Sequence, residues 1–122
     1  MKAIKQTMTH THNINLNLLF PHQIHKEFLI NENSTIVDAM MYGGIQSRTS
    51  NKPKDNSKIG DKYIVPENSH EWHGNTNQIA IQLENKLHYI QPKEGMIFWL
   101  IDEEKLIVFS ENNWKTLAVT LV

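Results

Sequence analysis

Two apolar runs near the C-terminus, MIFWLI at 96–101 and KLIVF at 105–109, flank the acidic turn Asp102–Glu103–Glu104. Short runs rich in branched and aromatic residues, joined by a few polar ones, predict an antiparallel hairpin. Neither run alternates apolar with polar, so the hairpin carries apolar side chains on both faces. A sheet that is apolar on both faces has to be covered twice. That demand rules out a single half-exposed sheet and asks for at least two further surfaces to pack against. One cover is a helix. The other is a second strand layer or a neighbouring subunit, since large exposed apolar patches mark interfaces. Ile97, Trp99, Ile107 and Phe109 are the candidate interface residues.

The helix is read from local chemistry. Asn31 is a suitable N-cap, and Glu32 follows in the first turn, where negative charge suits the helix dipole. Ile36, Val37, Met40 and Met41 have spacings that share one face. Gly43–Gly44 then ends the helix, because glycine enters the left-handed C′ conformation cheaply. These signals predict a helix over Glu32–Tyr42. Further on, DKYIVP reads as a short strand ended by Pro66. Ile79–Leu83 and Leu87–Gln91 read as a hairpin, its first arm having the period of a half-buried strand. QPKEG is a turn with Gly95 free to take positive φ, and WKTLAVTL is a last strand. The fold class is α+β, mostly β: an antiparallel β-meander of short hairpins packed with one N-terminal helix. Residues 1–15 are polar and read as a mobile or extended arm, with 16–122 as one helix-plus-meander domain. A chain of this length buries roughly two-thirds of its unfolded surface, enough for a core without staples.

Composition excludes several functions. There is no cysteine, hence no disulfide, thiolate nucleophile or zinc–thiolate site. With 12 basic and 13 acidic side chains, no strong field draws the chain to nucleic acid or to an anionic membrane. No run spans a bilayer, and the N-terminus lacks the apolar core of a signal peptide. Synthesis in the cytoplasm without a leader is the expectation.

Seven histidines raise a metal reading. The pairs His10/His12, His22/His25 and His70/His73 are far apart in the chain, and zinc needs three or four convergent ligands. They read as polar loop and arm residues, with no metal and no cofactor. There is no G-x-S-x-G elbow, P-loop or H-E-x-x-H motif. Glu94, Asp102, Glu103 and Glu104 could be combined into a glycosidase pair, but all sit in turns, where acids face solvent. The acidic turn reads as solubilising. The aromatics are flanked by acids or neutral residues, unlike a single-stranded nucleic-acid platform.

The segment EWHGNTNQ, 71–78, combines an aromatic ring with amides and a carboxylate, a mixture that suits a sugar surface. Trp72, His73, Asn75 and Asn77 are the candidate glycan-binding residues. The alternative for Trp72 is a buried corner anchor with its indole N–H bonded. Trp99 reads as core or interface, and Trp114, just after a turn, as structural.

Several segments in this order resemble one family. HQIHKEFLINENSTIVDAM at 22–40, IGDKYIV at 59–65, EWHGNTNQIAIQ at 71–82 and QPKEGMIFWLIDEEKLIVFSENNW at 91–114 are similar to the pattern of the domain of unknown function 2793 family. The resemblance runs over about residues 14 to 115. Its matched positions include Gln23, Asp38, Gly60, Tyr63, Trp72, Gly74, Pro92, Gly95, Trp99 and Trp114. His22, His25 and Leu29 depart from it, standing where the pattern has glycine, glutamine and threonine. The family occurs in alphaproteobacterial prophages and gene-transfer-agent-like clusters. It implies no enzyme activity. It implies a virion component of fibre, spike or baseplate type that meets host glycans, forms a homo-oligomer with a trimer favoured, and contacts other phage structural proteins. The expected function is therefore a non-catalytic virion component that binds surface carbohydrate. The alternatives are a purely structural assembly subunit and, third, a glycan hydrolase.

Overall fold

The computed structural model describes residues 8–67 and 70–118. The first seven residues of the arm and the last four of the chain, which include the end of the predicted last strand, lie outside the described residues. The order is α1 (Lys26–Met41), β1 (Gly44–Ile45), β2 (Lys62–Ile64), a 3₁₀ turn (His70–Trp72), β3 (Ile79–Gln82), β4 (Leu87–Ile90), β5 (Ile97–Leu100), β6 (Lys105–Ser110) and β7 (Asn113–Thr116). The expected α+β, mostly β class holds, and both predicted hairpins form: β3–β4 and β5–β6.

The strands make two sheets, β1-β5-β6-β7 and β2-β3-β4. One pairing departs from a pure meander, because β1 lies parallel to β5. The same short stretch continues to the other sheet. Gln46 donates its N–H to the Lys62 carbonyl at 2.7 Å, and Ile64 donates to the Ser47 carbonyl at 3.0 Å. Residues 43–47 thus pair with both sheets and stitch them together.

One core fills the space between the sheets. It takes Ile36 and Ala39 from α1, Ile45 from β1 and Ile64 from β2. Ile79, Ile81 and Ile90 come from the first hairpin, Phe98, Leu100, Ile107 and Phe109 from the second, and Trp114 from β7. A smaller cluster of Tyr63, Val65, Trp72 and Ala80 covers the far side of the β2-β3-β4 sheet. β3 is buried on both faces, with Ile79 and Ile81 in the main core and Ala80 in the smaller cluster, and not half-buried as its alternation suggested.

The helix differs from its prediction at both ends. It starts six residues earlier, at Lys26, and the cap position is held by His25 with φ 59° and no side-chain cap bond. Asn31 lies inside the helix, where its carbonyl accepts from Thr35 Oγ1. A cap is worth about 1 kcal/mol, which a further turn of helical bonding outweighs. Glu32 is ion-paired with Lys86 at 3.1 Å. At the other end Tyr42 is extended, with ψ 126°, and its N–H reaches the Asp38 carbonyl. The expected left-handed glycine stop is absent. The chain is instead held straight by β5, since Trp99 and Ile101 donate to the carbonyls of Gly43 and Ile45. Only Ile36 and Ala39 of the helix are buried; Val37 and Met41 face solvent. Residues 36, 39 and 40 form the inward stripe, and 37 and 41 form a separate one beside it.

The arm is not extended where it is described. Residues 9–18 double back as a narrow hairpin, with an antiparallel bridge between His10 and Asn17. Ile14 and Leu16 pack on the main core, and Asn33 Nδ2 donates to the Asn17 carbonyl. Gly95 takes φ 90°, as its turn requires.

One buried charge sits where the stitch, the helix end and β2 meet. Lys62 is almost fully buried. Its Nζ donates to the Tyr42 carbonyl and lies 4.5 Å from the Phe98 ring centroid. A cation at the carbonyl end of a helix complements its dipole. Burial nonetheless lowers the Lys62 ammonium from 10.5 to about 8. Below pH 8 the cost of the buried charge is fully present, and it is relieved as the pH rises towards 10.5. Stability should therefore climb across that window by up to about 3 kcal/mol, at ~1.4 kcal/mol per pH unit. Urea unfolding of the parent chain and of Lys62→Met across pH 7–10.5 checks this: the variant should lose that part of the slope.

Candidate functional site

Trp72 shows how the expected sugar loop is used. The ring is fully buried. It packs on Tyr63 with ring centroids 5.6 Å apart, and its Nε1 donates to the Ser50 carbonyl at 2.9 Å. Tyr63 continues the chain of bonds: its hydroxyl donates to Ser57 Oγ and accepts from the Lys54 N–H. Together the two rings pin the long polar loop 48–61 to the β2-β3-β4 sheet. Trp72 is therefore a corner anchor, and the candidate glycan surface built on it is corrected. A sugar ring cannot stack on a buried indole.

The neighbouring residues serve the same anchoring. Asn75 Nδ2 donates to the Trp72 carbonyl at 2.9 Å. Asn77, at φ 66°, gives its carbonyl to Trp114 Nε1 at 2.9 Å. His73 is exposed, at φ 52°. The loop that resembled a binding surface is thus tied into the fold through its amides and carbonyls. The two tryptophan N–H groups bind it and the 48–61 loop.

The candidate interface also divides. Ile107 and Phe109 face the core and are buried, which removes them from any surface. Ile97 and Trp99 alternate with the inward Phe98 and Leu100, so they lie on the outer face. There Ile97 pairs across the strands with Val108, and Trp99 with Leu106. Ile97 is exposed and the other three are half-buried. The two faces of the hairpin are thus covered differently: the inner face packs on the other sheet and the helix, and the outer face carries this apolar strip.

The acidic turn does more than solubilise. Arg48 holds Glu103 in a two-point fork, with Nε and Nη2 each 3.0 Å from a carboxylate oxygen. The Arg48 guanidinium keeps the Glu103 carboxyl below its usual range, with a smaller contribution from Lys105. This ties the segment just after the stitch to the β5–β6 turn. Glu94 accepts from Ser110 Oγ at 2.8 Å and from the Glu111 N–H at 3.2 Å. Both carboxylates are thus held as hydrogen-bond acceptors within the fold.

Sequence reasoning missed two surfaces. The first is a polar groove of about 310 Å³ between the arm hairpin and β4. Its lining includes His12, Asn13, Asn15, Gln78, Tyr89 and Gln91. Gln78 and Gln91 bond to each other across it at 3.2 Å. The Tyr89 hydroxyl is buried, with its ring packed on the Tyr63–Trp72 cluster and the Asn75 amide beside it. Burial pushes its phenol up, against a weaker opposing pull from the Asn75 amide. His88, at the same groove, is held towards its neutral form mainly by burial. The residues come from three separate segments, so no local motif announced them.

The second surface is apolar. Ten large apolar side chains are exposed among the described residues, and eight of them lie between Met8 and Tyr42. Phe20, Ile24, Phe28, Ile30, Val37 and Met41 are among them. The signal was present as an excess of apolar residues at 24–41 over what one buried stripe needs. Among the described residues no three His, Asp or Glu side chains converge as metal ligands. Among the described residues no helix is long and apolar enough to cross a membrane.

The chain is thus a small α+β module of two stitched sheets, its loops pinned by tryptophans and its helix half bare. It belongs to the family described as protein of unknown function (DUF2793), whose pattern matches residues 30–115, from inside α1 to the end of β7. A search of curated proteins finds no match.

The anchoring role of Trp72 has a direct check. Trp72→Phe keeps a ring but leaves the Ser50 carbonyl without its donor. The expected loss is about 1–3 kcal/mol, with faster tryptic cleavage at Lys54 and Lys58. Chemical denaturation and limited proteolysis measure both.

Proposed function

We propose that this chain is a non-enzymatic structural module of a phage-type particle, joined to other particle proteins through the arm and helix. The observation that carries the reading is the concentration of exposed apolar side chains on Phe20–Met41. Exposed apolar side chains at this density mark interaction surfaces. The prophage and gene-transfer-agent setting comes from the sequence resemblance, and the apolar surface is what suits a subunit to it. The test is co-expression with phage-type structural proteins from the source genome. Ile24→Glu with Phe28→Glu should abolish co-purification while leaving the thermal midpoint close to the parent's, because both side chains are exposed. Unchanged co-purification would overturn the reading.

A second reading is supported by the polar groove. Amides and a histidine are donors and acceptors that carbohydrate hydroxyls pair with, in a concave site. Surface glycan is the ligand class proposed for it, with His12, Asn15, Gln78 and Gln91 in place of the Trp72 loop. A glycan array with the parent chain and with Asn15→Ala and Gln91→Ala decides it. Binding weakened tenfold or more in both variants supports the groove; binding that persists in both, or no binding by the parent chain, removes it.

A further inference from the structure

The groove between the arm hairpin and β4 carries ionisable groups of one sign. His12 comes from the arm, His88 from β4 and Lys93 from the turn that follows. Each becomes a cation on protonation. None of the described residues lining the groove is acidic. The acids that come near it are committed elsewhere. Glu94, next to Lys93 in the chain, accepts from Ser110 Oγ and from the Glu111 N–H. Glu32 acts on His88 from α1, but it is itself ion-paired with Lys86 at 3.1 Å. The chain as a whole carries a formal charge of only −1, so the sign of the groove is a local feature.

Lys93 stands out among the three. Pro92 is buried between two exposed neighbours, so Gln91 and Lys93 both turn outward. Among the described residues no ion pair engages the Lys93 side chain, whereas Arg48, Lys86, Lys105 and Lys115 are all paired. Burial holds His88 towards its neutral form, which leaves the Lys93 ammonium as the principal charge. Gln78 gives an Nε2 hydrogen to Gln91 Oε1 at 3.2 Å. The Gln91 Nε2 hydrogens have no partner among the described residues, and they lie two residues from the ammonium. An ionised acid group only accepts hydrogen bonds, and each such bond is about twice as strong as one between neutral groups. A free amide donor beside an unpaired ammonium is matched to that group better than to a hydroxyl.

Resting on the groove reading above, we infer that the ligand of this groove is an acidic saccharide, one bearing a carboxylate or a sulfate, and that Lys93 selects it over neutral sugar. Lys93 and the Gln91 amide take the acid group. The Asn15 and Gln78 amides, with donors and acceptors of both kinds, meet the sugar hydroxyls. Specificity is a difference between affinities, and here it comes from one charge that a neutral sugar leaves unused.

A glycan array bearing uronic-acid, sialic-acid, sulfated and neutral saccharides tests this with the parent chain and Lys93→Gln. The parent should bind acidic members about tenfold or more above their neutral counterparts, and the carboxylated and sulfated sets show which acid group it reads. Lys93→Gln should remove that preference with the thermal midpoint unchanged, because the side chain is exposed. Raising sodium chloride from about 50 to about 300 mM should weaken binding of the acidic members, since salt screens an exposed charge. Binding confined to neutral saccharides, a preference that survives Lys93→Gln, or binding insensitive to salt overturns the inference and leaves the groove reading standing. Polyglutamate as competitor separates a sugar site from a site for any anion: competition equal to that of the acidic saccharides overturns it too. No binding to any member removes the groove reading and the inference together.

Discussion

Gly43 and Ile45 accept hydrogen bonds from Trp99 and Ile101 on the β5 side, and Gln46 and Ser47 bond to β2 on the other. Without that stretch the two sheets share a core but no backbone bonds among those described. The stitch is also where the helix, the buried lysine and the long loop join. Lys62 accepts from Gln46 through its carbonyl and donates to Tyr42 through its ammonium. Ser47 is buried, and its Oγ accepts the N–H groups of Thr49 and Ser50. Arg48 then reaches the β5–β6 turn. An unpaired buried polar group costs free energy comparable to a lost hydrogen bond. The close accounting of donors and acceptors here is what makes so short a strand sufficient.

The tryptophans extend the same logic to the loops. Trp72 and Trp114 each bury a ring among other aromatics and give the indole N–H to a loop carbonyl, Ser50 and Asn77 respectively. Trp114 lies 5.1 Å from Phe109 and 5.9 Å from Phe98 by ring centroid. Such pairs add about 0.5–1.5 kcal/mol beyond area burial. One ring holds each polar loop against a sheet, so loops rich in Asn, Lys and Ser stay attached to a small core. The consequence for function is negative but specific. The residues that look most like a recognition surface in the sequence are committed to holding the fold. Recognition has to be sought where side chains are left over.

How much was legible follows from the range of the forces. The two hairpins, their turns and Gly95 were readable because hairpin geometry is set by a handful of adjacent residues. Trp114 as an anchor was readable from its place after a turn. The β1–β5 pairing was not, since Gly44 and Trp99 are far apart in the chain and two residues carry no strand signature. The same is true of the double burial of β3: Ala80 fits a half-buried strand, and only the Tyr63–Trp72 cluster reveals what lies behind it. The helix start was misread because Asn31 has cap chemistry, whereas helix length is decided by the whole segment. The groove between His12 and Gln91 needed the arm to fold back on β4, a tertiary fact with no local trace.

The question of what covers the second face of the β5–β6 hairpin turns on a comparison of two apolar surfaces. On the sheet, Trp99 has Leu106 as its cross-strand partner and Ile97 has Val108, so each side chain shields another. Lys115, opposite Val108, has an aliphatic stem that can lie along the strip while its charge stays in water. Apart from Ile97 the strip is half-buried as it stands. The helix has no such arrangement. Ile30, Val37 and Met41 lie a turn or more apart along a cylinder, and the residue between them on that face is serine. Side chains so placed gain little from one another within a single chain and much from a second surface that interdigitates with them. The apolar excess that first seemed to belong to the hairpin is therefore better spent, in physical terms, at the helix. The sheet can leave its outer face to water at small cost, and the helix cannot.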